Sequence, residues 1–249
     1  MRIGLIIVGD EILSGRRADK HLPKVVEMLT QRGLVLSWSR VIGDDSQLLI
    51  DTYRDTFASN DLVFSTGGIG GTPDDLTREA VAAALGSNTE RHPEGVEILK
   101  RFCSNTDRPL TEERYRMVTF PKGATLIPNP VNTIPGFSIG NHHFVPGFPQ
   151  MAWPMMEWVL DNKYPHLVNN QYDEQAVMVL NTYESAIIPI MEKLVANHPN
   201  IKTFSLPIIH EEVPKIEFGV KGNKIDVKAA MQDLKDGLKE IGSEWLRID

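Results

Sequence analysis

The chain has 249 residues, of which 41% are hydrophobic and 24% are charged, proportions that are ordinary for a globular protein of one large or two smaller domains. Its formal charge of −7, without a run of Lys or Arg, argues against nucleic acid as the main partner. The single cysteine, Cys103, excludes an intrachain disulfide and suits a reducing compartment. The apolar start of the chain lacks the pattern of a signal peptide or a membrane span, so we expect a cytoplasmic protein without membrane contact.

Three strand–helix alternations follow one another along the first third of the chain. Each starts with a short apolar run that is typical of a buried parallel strand and continues with apolar residues at helical spacing. The predicted strands are residues 2–9, 34–43 and 61–68, and the predicted helices are residues 19–33, 45–59 and 73–86. The short connections between them predict a three-layer α/β fold, in which helices cover both faces of a mostly parallel sheet.

The pattern loosens after these alternations. Two further helices are predicted at 92–104 and 110–120, and a third at 151–164. Between the second and the third, residues 124–151 are rich in proline and glycine around short strands. Such a long stretch inside a compact domain is more typical of a functional surface than of a linker.

The order of elements changes near residue 171, where a β-α-β-β-α succession begins. This succession predicts a second, small α+β domain of ferredoxin-like type, so we expect one domain over 1–170 and another over 171–249. We interpret His210, Glu211 and Glu212 as part of a solvated hairpin loop in the second domain. The apolar strand face of this domain predicts contacts in a homo-oligomer, a dimer or a trimer.

The segment TGGIGGTPDD, residues 66–75, connects the third predicted strand to its helix. Its four glycines permit positive φ angles and let backbone N–H groups approach a ligand without a Cβ atom between them. A helix N-terminus adds unpaired donors, which favours phosphate binding. The loop matches neither the dinucleotide pattern G-x-G-x-x-G nor a P-loop. The plainer alternative is a tight turn, in which Asp74 or Asp75 only caps the helix.

Acidic pairs follow the other two predicted strands. Asp10 and Glu11 come after the first strand, and Asp44 and Asp45 after the second. Because the carboxyl ends of parallel strands form the ligand crevice of an open sheet, we expect these groups to meet the glycine loop at one edge. Carboxylates beside a phosphate repel it unless a divalent cation lies between them. The pattern therefore favours a metal-assisted phosphate site over the alternative of helix-capping aspartates.

Four ordered motifs carry a resemblance to a known family. GDEILSG, VIGDD, TGGIGGTPDDLTREAVA and NPVNTIPGF…VPGFP resemble the MoaB/MogA-like molybdopterin-binding domain family. The version closest in pattern is that of the CinA amino-terminal region and of the amino-terminal domain of eukaryotic FAD synthase. The resemblance covers residues 1 to about 170. It implies the MoaB/MogA-like fold and a pterin or a nucleotide as the small-molecule ligand.

The resemblance also implies roles for individual residues. Asp75 and Asp44 match the family's essential aspartates. In a metal-dependent mechanism they would hold a divalent metal such as Mg²⁺, Mn²⁺ or Co²⁺, assisted by Asp10 or Glu11. His21 departs from the family pattern, since relatives carry an asparagine there. In a hydrolytic mechanism it would supply a proton, and the plainer alternative is an exposed histidine at the start of a helix. The matching ligand- and phosphate-binding positions are Thr66, Gly67, Gly68, Gly70, Gly71, Thr72, Asp10, Glu11, Ser14, Gly15, Asp19, Pro146 and Gly147.

Three functions are compatible with these motifs. The first is a metal-dependent pyrophosphatase that acts on a nucleotide diphosphate such as ADP-ribose or FAD. The second is adenylyl transfer to molybdopterin, which would use the same loop with ATP and Mg²⁺. The third is a non-catalytic module that holds a pterin or a nucleotide. Departures from the family pattern at His21, Gly71 and Met151 favour this third function, whereas the resemblance to CinA and FAD synthase favours the first.

Overall fold

The computed structural model of the chain describes residues 1–208 and 214–248. The predicted loop residues His210, Glu211 and Glu212 therefore lie outside the described residues. The internal contacts divide the chain into two compact units, Met1–Val168 and Asn169–Asp249. Each unit has its own sheet and its own apolar core.

The first unit is built on a six-stranded sheet with the order β2-β1-β3-β8-β7-β6. Strands β2, β1, β3 and β8 are parallel, whereas β7 pairs antiparallel with β8 and with β6. A separate antiparallel pair joins β4 to β5. The strands are β1 (Ile3–Val8), β2 (Trp38–Ile42), β3 (Leu62–Thr66), β4 (Thr89–Arg91), β5 (Thr119–Pro121), β6 (Thr125–Ile127), β7 (Gly136–Ile139) and β8 (His142–Val145). The predicted mostly parallel α/β sheet is thus confirmed.

Helices cover this sheet on both faces. They are α1 (Asp10–Leu13), α2 (His21–Thr30), α3 (Ser46–Phe57), α4 (Thr77–Ala84), α5 (Pro93–Asn105), α6 (Glu112–Tyr115) and α7 (Pro149–Lys163), with short 3₁₀ helices at Arg116–Val118 and Pro165–Leu167. Three predictions of extent were wrong. Strand β2 begins at Trp38, four residues after the predicted position 34. Helix α4 begins four residues after the predicted position 73, and the helix predicted over 110–120 is only one turn long before it gives way to 3₁₀ geometry and β5.

Burial on the central strand β1 explains the layering. All six residues of β1 are buried, and their side chains alternate between the two faces of the sheet. Leu5 and Ile7 pack in one core with residues of α2 and α7. Ile6 and Val8 pack in the other core with residues of α3, α4 and α5. A strand that is apolar at every position must be covered on both sides, which is the arrangement that its sequence predicted.

The second unit has a four-stranded antiparallel sheet with the order β10-β11-β9-β12. Its elements are β9 (Tyr172–Leu180), α8 (Glu184–Asn197), β10 (Lys202–Ile208), β11 (Lys215–Asn223), α9 (Lys224–Glu240) and β12 (Trp245–Arg247). The predicted β-α-β-β-α order is confirmed. The structure adds β12, whose three residues are too short to give a periodic signal in the sequence.

In the part of the chain that the structure describes, no helix combines the length and the apolar character needed to cross a membrane.

Candidate functional site

A cavity of about 430 Å³ lies in the first unit, where the loops after β1, β2, β3 and β8 meet. It brings together most of the residues predicted from the sequence. The predicted residues that line it are Glu11, Asp44, Gly67, Gly68, Gly70, Gly71, Thr72, Asp75, Pro146 and Gly147. Asp10 stands next to the cavity through its bonds with Asp44, whereas Thr66, Ser14, Gly15 and Asp19 do not line it.

The glycine loop has a backbone that other residues would not adopt easily. Gly67 and Gly68 have φ angles of 96° and 67°, in the left-handed region that favours glycine. A Cβ atom on Gly67 would collide with the backbone oxygen of Val8, and one on Gly68 would collide with the side chain of Thr77. The first two glycines are therefore needed for the close approach of the loop to β1 and to the start of α4.

The carboxylate of Asp75 organises the rest of this loop. One oxygen accepts the backbone N–H of Gly70 at 2.8 Å. The other accepts the backbone N–H and the hydroxyl of Thr72, at 2.8 and 2.5 Å. The prediction that Asp74 or Asp75 caps the helix is wrong, because α4 begins at Thr77 without a side-chain cap. Asp75 holds the loop instead.

Three backbone donors of the loop remain for a ligand. The N–H groups of Gly68, Ile69 and Gly71 donate to no protein acceptor within residues 1–208 and 214–248. All three residues line the cavity. Unpaired backbone N–H groups in a glycine-rich turn form a concave anion site, since each presents a partial positive charge. The arrangement favours a phosphate group at this place.

The acidic turns after β1 and β2 are joined to each other. The backbone N–H of Asp10 donates to the Asp44 carboxylate, and the N–H of Asp44 donates to the Asp10 carboxylate, both at 3.1 Å. Burial raises the pKa of Asp44. The backbone hydrogen bond from Asp10 lowers it, whereas the nearby charges of Asp10, Glu11 and Asp74 raise it. Like charges are therefore crowded beside the cavity, which is a common feature of sites that bind a cation or move a proton.

The predicted metal set of Asp75, Asp44 and Asp10 is not gathered into one group. Across the described residues, no three His, Cys, Asp or Glu side chains are placed to hold a metal ion by themselves. Both oxygens of Asp75 already accept loop hydrogen bonds. Asp10 and Asp44 each use one carboxylate oxygen for the other's N–H, which leaves the second oxygen of each for a ligand. Two carboxylates suit Mg²⁺ when substrate phosphates supply further oxygens.

Several of the predicted site residues stabilise local structure instead. The carboxylate of Asp19 accepts the backbone N–H groups of His21 and Leu22, both at 2.9 Å, at the start of α2. Asp45 caps α3 by accepting the N–H of Leu48 at 2.7 Å. Gly15 has a φ angle of 69° in the turn that ends α1. These contacts account for the residues without a ligand.

The sequence suggested an exposed side chain for His21, because it stands at the start of a helix. The structure shows the opposite. Its side chain is buried, and its Nε2 lies 3.1 Å from the backbone oxygen of Gly147. Because a carbonyl only accepts hydrogen bonds, Nε2 is the nitrogen that carries the proton. His21 therefore fixes the loop after β8 at the wall of the cavity. It does not line the cavity itself, so the structure does not support its predicted role as a proton donor to the ligand.

The sequence reasoning missed Arg17 and the far end of the cavity. Arg17 is the one basic side chain among the lining residues, and within the described chain it forms no ion pair. The signal was the unexplained Arg16–Arg17 pair directly after the GDEILSG motif. Away from the acidic turns the lining becomes apolar and amide-bearing, with Met117, Asn129, Asn132, Ile134, Phe148 and Met151.

The chain is similar to known proteins over this unit and beyond it. A family profile described as "Probable molybdopterin binding domain" matches residues 4–166. A relative from Caldivirga maquilingensis is 32% identical over 259 aligned positions, which cover 98% of this chain and 99% of the relative. A CinA-like protein from Anaeromyxobacter sp. (strain K) is 36% identical over 172 positions, 67% of this chain but only 41% of that longer protein. The solved structure of CinA from Thermoplasma acidophilum, a protein described as having unknown function, matches with a TM-score of 0.59 and 28% identity over 65% of this chain and 98% of its own.

Proposed function

The chain belongs to the MoaB/MogA-like family of molybdopterin-binding domains and has CinA-like relatives, and we propose that it hydrolyses the pyrophosphate bond of a nucleotide diphosphate of the ADP-ribose or FAD type. The observation that carries this proposal is the meeting, in one cavity, of three unpaired backbone N–H groups with the carboxylates of Glu11 and Asp44, beside which Asp10 adds a further negative charge. The backbone N–H groups attract a phosphate, and a cation or a proton would reduce the repulsion between the carboxylates.

The chain's own residues would divide the work between binding and activation. The N–H groups of Gly68, Ile69 and Gly71 would hold one phosphate and stabilise charge that develops on it. Arg17, which also lines the cavity, would neutralise a second phosphate. Asp10 and Asp44 would hold a divalent metal together with the substrate oxygens, and the metal would polarise the phosphoryl group when bound. In hydrolysis, water would form a new P–O bond, the bond from phosphorus to the bridging oxygen would break, and Glu11, a lining carboxylate that does not hold the metal, would accept the water proton.

The other end of the cavity suits a planar ring. Phe148 lines the cavity and is 57% exposed, and Met117 and Met151 offer flexible apolar contacts. The amide oxygen of Asn132 is used by Asn129 and by the backbone N–H of Ile134, which leaves its NH₂ group able to donate to a ring acceptor. An adenine, a flavin or a pterin presents such acceptors at its edge. The substrate class that fits both ends is a ring joined to a diphosphate.

The test is a hydrolysis panel of ADP-ribose, FAD, NAD and ATP with Mg²⁺, Mn²⁺ or Co²⁺, in wild type and in Asp44→Asn. We expect AMP release that stops with a chelator and falls at least about 100-fold in the variant, because Asn keeps the bond to the N–H of Asp10 but loses the charge. Asp75→Asn is less informative here, since an amide NH₂ group cannot accept the bonds of the loop.

Asp45→Asn is the matched control. Asp45 is the neighbouring residue, it is exposed, and its cap on α3 needs one acceptor oxygen, which asparagine retains. This control should keep the wild-type rate. Equal hydrolysis in Asp44→Asn and wild type would exclude the proposed role of the acidic turns.

A second function, a non-catalytic binding module, is favoured by two observations. Asp75 is fully used by the loop, and no group of three metal-binding side chains is formed within the described residues. If the panel shows no turnover with any metal while a dinucleotide still raises the melting temperature, the module is the better description.

A further inference from the structure

Arg78 lies beneath the glycine loop and has surroundings that a packing role alone does not explain. Its side chain is 1% exposed and is the largest fully buried side chain of the described residues. An arginine stays protonated at any physiological pH, so this position places a full positive charge inside the protein. Burying a charge is unfavourable unless it is paired and hydrogen-bonded.

The charge of Arg78 is only partly compensated by the protein. Its Nη1 donates to two backbone oxygens, that of Ile69 at 2.9 Å and that of Arg116 at 2.7 Å. Its Nε has no hydrogen-bond partner among the residues that the structure describes. The carboxylate in salt-bridge range belongs to Glu79, 3.9 Å from Nε and with a side chain 58% exposed to water. Burial lowers the pKa of Arg78, and the charges of Glu79 and Asp75 offset part of that effect.

One peptide unit of the loop is held between Arg78 and Asp75. The carbonyl of Ile69 accepts from Arg78, and the N–H of Gly70, which belongs to the same planar peptide group, donates to Asp75 at 2.8 Å. The positive side chain therefore meets the negative end of this peptide, and the negative side chain meets its positive end. The two unpaired donors on either side, the N–H groups of Ile69 and Gly71, are thereby fixed in direction.

We propose that Arg78 is a positioning residue for phosphate binding, which fixes the Ile69–Gly70 peptide and supplies positive potential to the anion site from behind the loop. This inference rests on the phosphate site of the proposed function, but it does not depend on turnover. The incompletely compensated charge is stabilised when an anion occupies the cavity. Preorganised donors also bind an anion without first losing conformational freedom.

Binding of inorganic pyrophosphate, measured by calorimetry without a metal, tests the proposal in two variants at the buried position. Arg78→Lys keeps donors and, below the pKa of the buried lysine, also the charge, so in a titration at pH 6 we expect its Kd to stay within about threefold of wild type. Arg78→Gln keeps donors but loses the charge, and we expect a Kd at least about tenfold higher. Amide hydrogen exchange at Gly70, without any ligand, should be slow in wild type and faster in Arg78→Gln.

Substitution of the exposed residue Glu79 gives a second test that should leave the fold intact. Glu79→Gln removes the carboxylate nearest to Arg78, so pyrophosphate should bind about twofold more tightly. The control Glu97→Gln removes the same charge from the surface of α5, where Glu97 pairs with Lys100, and should change the Kd less.

The outcomes separate the inference from the function on which it rests. If wild type binds no pyrophosphate, the phosphate site itself is refuted, and the role of Arg78 with it. If wild type binds and folded Arg78→Gln binds equally well, only the inference fails. If Arg78→Gln does not fold, the pyrophosphate Kd values of Arg78→Lys and Glu79→Gln test the proposal instead. If Arg78 has only a structural role, Glu79→Gln should not bind pyrophosphate more tightly than wild type.

Discussion

The glycine loop after β3 and the acidic turns after β1 and β2 meet at one edge of the same sheet, yet their aspartates have opposite surroundings. Asp75 accepts three hydrogen bonds from its own loop and has no spare oxygen. Asp44 accepts one backbone bond, is partly buried, and faces the like charges of Asp10, Glu11 and Asp74. The first carboxylate is stabilised by its neighbours, and the second is destabilised by them.

This difference gives the two carboxylates of one cavity different roles, one in shaping the loop and one in the reaction. A carboxylate whose oxygens accept the donors of its own loop is held in place by them, so Asp75 shapes the loop. A carboxylate that is desolvated among like charges gains most from a cation or a proton, so it is suited to the reaction. Four predictions test the two halves of this comparison.

The largest effect is expected from alanine substitution at the glycines of the two regions. Gly67→Ala should lower the free energy of unfolding by about 3 kcal/mol, because φ is positive there and the new Cβ atom meets the rigid backbone of Val8. Gly43→Ala in the acidic turn should cost about 1 kcal/mol, because its new Cβ atom meets the movable carboxylate of Asp10. Denaturant titration measures both. Equal losses would contradict the distinction between a rigid loop and an adaptable turn.

Asp75→Ala should be the next most damaging change. It leaves the N–H groups of Gly70 and Thr72 without their acceptor, so we expect a loss of about 2 kcal/mol in stability and at least about tenfold weaker pyrophosphate binding. Calorimetry and denaturant titration on one preparation would give the two values. Unchanged binding would show that the loop keeps its shape without Asp75.

Arg17→Gln should act on binding alone. Arg17 lines the cavity and has no ion-pair partner within the described chain, so its loss should weaken pyrophosphate binding about fivefold and leave the melting temperature nearly unchanged. Arg16→Gln is the matched control, since Arg16 is adjacent in sequence but does not line this cavity. The same Kd in both variants would show that Arg17 contributes only general charge.

The smallest effect concerns pH. Because the pKa of Asp44 is raised in the folded state above its ordinary value of 3.8, the folded protein holds this proton more tightly than the unfolded chain does. The charged form therefore opposes folding above the raised pKa, and this penalty disappears as the pH falls towards 3.8. Asp44→Asn should be more stable than wild type at neutral pH, by less than about 1 kcal/mol because solvent screens a partly exposed group. The difference should shrink near pH 4, as thermal melts across this range would show.

Some features of this fold could be predicted from the sequence, and others could not. The strands, the order of the elements and the glycine loop were predictable, because a buried strand needs an apolar run and a close backbone approach needs glycine. Errors occurred where a short element carried no periodic signal, as in β12 and α6, or where a side chain of the loop competed for backbone donors, as Asp75 does before α4.

By itself, the sequence determined the α/β class, the second small domain and the gathering of polar groups at one sheet edge, since these depend on patterns of burial along a few consecutive residues. Only the tertiary structure decided what each polar group does. Asp10 meets Asp44 across 34 positions, and His21 meets Gly147 across 126. Arg78 is buried against Arg116, 38 positions away. A side chain's charge, partner and exposure depend on neighbours that are distant in the chain, and no local pattern specifies them.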